Sequence, residues 1–191
     1  ALLQWFSGNL FIIAAGAIMG PLAVGVTRMA QNIVGITHVL FLAMENIIPV
    51  RAANSQREGG NEKMFRYLWK FTLQMGIITF TLLALIAIFS KQIILAFYGS
   101  EFVDYRFMLI GFCILYVIIF LGYPLRYAIR TLENTKLIFI SFIASSAFSI
   151  LTAYPIIKAF GLTGVIIGLM LTQLITLGIY LYSLRKELKK L

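Results

Sequence analysis

The chain has 191 residues, of which 61% are apolar and only 12% charged, and its mean hydropathy is +0.94. This composition excludes an ordinary soluble domain and points to a protein of the lipid bilayer. The formal net charge of +9 does not call for a nucleic-acid partner, because the basic residues flank apolar runs and membrane topology accounts for them.

Six apolar runs follow one another, each of a length suited to crossing about 30 Å of hydrocarbon at 1.5 Å per residue. The first, Leu2 to Met19, is closed by Gly20-Pro21, a pair that ends one helix and starts the next. The second spans Leu22 to Val50 and is visibly polar; the third runs from Phe65 to Phe89 and the fourth from Tyr105 to Ile129. The fifth, Leu137 to Ile157, stops near Pro155 and Lys158, and the sixth, Leu162 to Leu184, runs into the basic tail Arg185 to Lys190. The longest link is Arg51 to Met64. The expected fold is therefore all-α, a single integral membrane bundle of about six transmembrane helices with no soluble domain.

Basic residues are retained on the cytoplasmic side of short loops. Alternate loops hold Arg51, Arg57, Lys63, Arg66 and Lys70, then Arg126, Arg130 and Lys136, then Arg185, Lys186, Lys189 and Lys190, which is twelve of the 16 Lys and Arg residues. The opposite loops carry Lys91, Arg106 and Lys158 beside Glu101 and Asp104. The reading is a multi-pass protein of the cell inner membrane with a cytoplasmic C-terminus.

The second run carries Arg28, Gln31, Asn32, His38, Glu45 and Asn46, which a lipid-facing helix has no reason to hold. Steps of three and four place them within an arc of roughly 140°, opposite Val26, Ile33, Val34, Val39, Leu40, Ala43 and Ile47. Ionisable groups inside a bilayer cost about 2.5 to 3.5 kcal/mol each on insertion scales, so the stripe either lines a watered cavity or locks helices together. Glu45 is the one acidic residue within a span. It is a candidate for coupling transport to H+ or Na+, the alternative being that it pairs with a buried cation.

In the fourth run Arg126 and Arg130 share a face at i, i+4 spacing, within Tyr123 to Arg130. Two permanently charged forks suit a diphosphate, while interfacial anchoring alone also places Arg and Tyr at the end of a span. Pro124 and Pro155 permit bends, and Gly164 and Gly168 at four-residue spacing predict close packing of the sixth helix on a neighbour. The lone Cys113 and lone His38 supply neither a disulfide nor a metal site. No metal, cofactor or catalytic residue is expected. A Gly-x-x-x-x-Gly-Lys-Ser/Thr loop is absent, so no ATP motor is visible.

Several local patterns occur together and in order: Gly25 to Gln31 in the second run, Ile48-Pro49-Val50-Arg51-Ala52-Ala53 at its end, Phe97-Tyr98-Gly99-Ser100-Glu101-Phe102, Glu133-Asn134-Thr135-Lys136, and Ala159 to Gly164. With them the chain resembles the C-terminal half of polysaccharide and O-antigen flippases of the multidrug/oligosaccharidyl-lipid/polysaccharide exporter superfamily. The resemblance implies one lobe of a two-lobe, MATE-like transporter with a central cationic cavity and alternating access. Family members are about twice as long and this chain begins at Ala1, so the resemblance also implies a missing N-terminal lobe that forms the other cavity wall. The implied partner is a lipid-linked oligosaccharide of the polyprenyl-diphosphate kind, held by Arg28, Gln31, Asn32 and His38 in the cavity and by Arg126 and Arg130 at its cytoplasmic mouth. The alternatives are a drug or cation antiporter of the same superfamily and a membrane glycosyltransferase or polymerase on the same lipid carrier; the scarcity of carboxylates in the spans speaks against both.

Overall fold

The structure is a computed structural model that describes residues 2–188; Lys189 and Lys190 of the basic tail lie outside the described residues. Among the described residues the chain is all-α. Its helices are α1 (Leu2–Met19), α2 (Pro21–Val34), α3 (Ile36–Ile88), α4 (Ser90–Phe97), α5 (Arg106–Thr131) and α6 (Thr135–Leu188), with a 3-10 turn at Ser100–Tyr105 before α5. Three stretches, Ile36–Ile88, Ser100–Thr131 and Thr135–Lys186, are long and apolar enough to cross a membrane, and Gly8–Met19 is a shorter apolar helix. This is the architecture of a multi-pass membrane protein.

The first boundary falls where the sequence places it. Gly20, at φ 86°, separates α1 from α2, and Pro21 opens α2 at a position where its missing N–H costs nothing. At Gly35 the helix does not turn away. The residue keeps right-handed helical angles, and its N–H still reaches the Gln31 carbonyl at 2.8 Å, so α2 runs on into α3 as the single long second run predicts.

The two longest helices are each folded back on themselves. In α3 the backbone leaves helical angles at Gly59 and Gly60, and in α6 at Gly161. Gly60 and Gly161 sit at φ 68° and 58°, the left-handed region that a side chain disfavours. Distances establish the reversal. Ser149 and Thr172 are 23 residues apart, about 34 Å along a straight helix, yet their hydroxyls meet at 3.3 Å. The Phe120 ring lies 6.2 Å from Phe41 and 6.3 Å from Phe80, which brings the two halves of α3 onto one side chain.

Two expectations are corrected here. The link between the second and third runs falls within Arg51 to Met64 but does not take up all of it, because helix continues on both sides of a break at Gly59-Gly60. The polar residues of the stretch stabilise the reversal: Gln56 donates to Asn61 at 2.8 Å, and Lys63 pairs with Glu58 at 2.7 Å. The hydrogen bond and charge of Lys63 hold the Glu58 carboxyl below its ordinary range. Likewise the fifth run does not stop near Pro155 and Lys158; the helix passes through both and breaks only at Gly161.

Two buried clusters mark the two ends of the bundle. One gathers Phe11, Met29, Ile86, Met108, Ile157 and Val165 with their neighbours, next to the helix ends and turns near Lys91, Arg106 and Lys158. The other gathers Phe41, Ile48, Met64, Tyr127, Tyr180 and Leu184, next to the turns rich in Lys and Arg. The basic loops therefore share one end of the molecule.

Helix α6 packs closely on α1, as the small-residue spacing predicts. A β-carbon at position 168 would overlap the ring of the fully buried Phe11 of α1, whereas one at position 164 would come within 2.7 Å of the Ile156 carbonyl oxygen in the first half of α6 itself. Gly168→Ala is expected to destabilise the protein by about 1 to 3 kcal/mol through overpacking. Gly178→Ala, whose added carbon meets nothing within 4 Å, serves as the comparison and should be neutral or better. Thermal unfolding in detergent measures both, and equal midpoints would contradict the packing argument.

Candidate functional site

The polar stripe of the second run lies on an open face. Arg28, Asn32, His38 and Asn46 are exposed, Gln31 and Glu45 half-buried, whereas Val26, Thr27, Ala30, Val34, Thr37, Phe41, Met44 and Ile48 turn inward at helical spacing. Of the apolar residues on the opposing arc, Val26 and Val34 are buried, while Val39 and Ile47 remain exposed. The rest of the chain thus packs against the side marked by Val26, Val34, Phe41 and Ile48 and leaves uncovered a mixed side on which the polar residues stand beside Val39, Leu42 and Ile47. In a bilayer such a surface requires water or another polypeptide over it.

Along this face the polar residues divide into two groups. At one end Arg28 donates through Nη1 to Gln31 Oε1 at 2.9 Å and through Nη2 to Asn9 Oδ1 at 3.2 Å, tying α2 to α1. About 26 Å further along the helix axis, at 1.5 Å per residue, Glu45 meets α5. Arg126 Nη2 donates to Glu45 Oε1 at 3.3 Å, and Arg130 Nη1 stands 3.7 Å from the same oxygen. The i, i+4 spacing on α5 aims both guanidinium groups at one carboxylate 81 residues away in sequence. One negative charge against two positive leaves the triad at +1.

Burial grades the triad. The Arg126 side chain is 21% exposed, Glu45 35% and Arg130 45%, so Arg126 is the member most removed from solvent. Its Nε–H is buried and has no acceptor among the described residues, and the hydroxyl of the adjacent, fully buried Tyr127 is likewise unmatched. Buried donors without acceptors are uncommon and mark places where a further acceptor belongs.

Between the two groups lies an open cavity of about 260 Å³. His38 and Arg126 line it, together with Tyr116, Tyr123, Gln173 and Tyr180. The Phe41 ring packs 5.0 Å from Tyr123 and 6.0 Å from Tyr116, forming an aromatic floor between α3 and α5. A smaller surface pocket of about 240 Å³ adjoins it, lined by both Arg126 and Arg130. The structure therefore brings His38 and Arg126 to the larger cavity and Arg130 to the smaller pocket beside it, while Glu45 lines neither and reaches the site only through its pairing with the two arginines. Arg28, Gln31 and Asn32 also line neither and lie further along the same face.

Gln173, Thr176 and Tyr180 on α6 are cavity residues that the sequence reading does not reach. Gln173 is the one amide in the sixth apolar run, and the cost argument applied to the second run singles it out equally. Thr172 and Thr176 give no such signal, because their hydroxyls bond the carbonyls of Gly168 and Thr172 at 2.8 and 3.1 Å, as such residues commonly do within helices. Among the described residues no three His, Cys, Asp or Glu side chains gather as metal ligands, and Cys113 is buried in the apolar core. No family model, curated protein or solved structure matches the chain.

Proposed function

We propose that this chain is one transmembrane lobe of a two-lobe, MATE-like transporter that flips a lipid-linked oligosaccharide across a bacterial inner membrane by alternating access. The six crossings are α1, α2 with the first half of α3, the second half of α3, α5, and the two halves of α6. The shared basic end is cytoplasmic by the positive-inside rule, so both chain ends face inward. The cargo is a polyprenyl-diphosphate-linked glycan for surface polysaccharide or O-antigen assembly.

The observation that carries this reading is the pairing of Arg126 and Arg130 with Glu45 beside an open cavity that Arg126 itself lines, between helices that are otherwise apolar. A glycan cannot cross hydrocarbon unaided, whereas its polyprenyl tail never needs to leave it. The protein need only provide a wet groove with hydrogen-bonding walls and a cationic holder for the diphosphate. The second lobe closes the groove, and rocking of the two lobes exposes it to each side in turn. Arg28, Gln31 and Asn32 line the outer part of this path. Glu45 neutralises one of two arginines, which disfavours a pocket built for cationic drugs.

The test is reconstitution of both lobes in liposomes with a fluorescent polyprenyl-diphosphate oligosaccharide, followed by its accessibility from outside. Arg28→Ala is expected to slow translocation about tenfold, the loss of one charge-assisted contact along the path. No translocation by the unaltered transporter, with ion-driven efflux of a cationic dye, would establish an antiporter instead.

A further inference from the structure

A second concavity lies on the other side of α5 from the Arg126 cavity. It measures about 470 Å³ and runs between the second half of α3, α5 and the second half of α6, with Phe65, Trp69, Leu121, Leu125 and Leu181 among its walls. Thr72 is the one hydroxyl-bearing residue lining it, and that hydroxyl already donates to the Leu68 carbonyl at 2.7 Å. Apart from the indole N–H of Trp69 the groove's side chains offer a ligand no free hydrogen bond, so it suits neither glycan nor ordered water.

The groove and the polar cavity meet at one seam. Leu177 of α6 lines both, and on α5 the groove residues Leu121 and Leu125 are immediate neighbours in sequence of the cavity residues Gly122 and Arg126. On α5 the seam residue Gly122 has no side chain, and a β-carbon there would meet no atom within 4 Å. A molecule with a charged end and a long apolar end can therefore occupy both sides of α5 at once. On the cavity side Arg126 supplies a permanent positive charge that Glu45 only partly offsets.

We propose that this apolar groove holds the isoprenoid tail of the transported lipid while its diphosphate rests against Arg126, the chain passing over Leu177, which lines both concavities. This rests on the flippase reading and adds to it a tail site and a lateral passage within this lobe. The charge of the Arg126 side selects a phosphate-bearing lipid, and the apolar groove holds a length of hydrocarbon, so the occupant is the lipid carrier itself.

The experiment compares binding of a long-chain polyprenyl diphosphate and a short-chain prenyl diphosphate, whose tail ends before the seam, to the full chain in detergent by native mass spectrometry. The unaltered protein should bind the long chain at least about tenfold more tightly, the worth of a few buried methylene groups. Leu125→Trp and Leu181→Trp, which fill the groove without entering the closed core, should erase that preference and leave short-chain binding unchanged. Equal binding of the two lipids by the unaltered protein, equal loss of both in the variants, or full competition by phosphatidylglycerol would overturn the tail site. Translocation by the reconstituted transporter separates the two ideas: a transporter that flips the lipid but shows no groove preference keeps the function and loses the tail site. One that flips nothing loses the function.

Discussion

Arg126→Gln is expected to reduce translocation of a diphosphate-linked lipid about a hundredfold, the largest effect of any single substitution at the site, since a charge-assisted bidentate contact is worth up to about 3 kcal/mol. Arg126 lines both the 260 Å³ cavity and the pocket beside it, is the least exposed member of its triad, and carries a buried Nε–H with no acceptor. Removing it also leaves Glu45 with only the longer 3.7 Å pairing to Arg130. Arg126→Lys keeps the charge but loses the planar fork, so an intermediate loss of about tenfold is expected. Arg130→Gln should cost less, because Arg130 is more exposed and pairs at the longer distance. Initial rates in proteoliposomes, with protein amount and folding checked in each preparation, measure the order. Rates equal to the unaltered transporter in Arg126→Gln would reduce the two arginines to interfacial anchors.

The fold was legible in the sequence to the extent that membrane physics is local. Hydrophobic length marks where helices run, and Gly20-Pro21 marks a boundary by backbone chemistry alone, which α1 and α2 reproduce. The Arg51 to Met64 stretch was read as link along its whole length because its polarity resembles a loop. Its polar side chains instead pair with one another across a two-residue reversal, Gln56 with Asn61 and Glu58 with Lys63, so the backbone can stay helical almost to the turn. Pro155 was misread as a stop for a related reason: it marks a missing donor, but only Gly161 takes the positive φ that breaks the helix.

The site was legible in parts. The stripe from Arg28 to Asn46 follows from helical spacing, and so does the shared face of Arg126 and Arg130. That Arg126 and Arg130 meet Glu45 does not follow, because pairing across 81 residues depends on how α5 packs on α3, a tertiary fact that no local pattern encodes. Gln173 and Tyr180 reach the cavity because α6 reverses at Gly161 and returns its second half to α5. Their place depends on that reversal more than on their own neighbours.

Glu45→Gln should raise the affinity for a diphosphate-linked lipid and lower its turnover. The substitution keeps the side chain's shape and takes the triad from +1 to +2, leaving the two guanidinium groups of the smaller pocket with no carboxylate between them. A unit charge about 4 Å away is worth roughly 4 kcal/mol at an effective dielectric of 20, and the partial exposure of all three groups reduces this to about 1 to 2 kcal/mol, a gain of about tenfold in binding. An anion held that much more tightly leaves more slowly, so release limits the cycle. If Glu45 also carries the coupling proton or Na+, the pH or Na+ dependence of translocation should flatten in the same variant. Binding and turnover measured together on Glu45→Gln separate these possibilities. Tighter binding with the ion dependence intact identifies Glu45 as an electrostatic rival of the substrate, and tighter binding with the dependence lost identifies it as the coupling group as well. Unchanged affinity would mean that the arginines meet no anion, and the triad would then be a lock between α3 and α5.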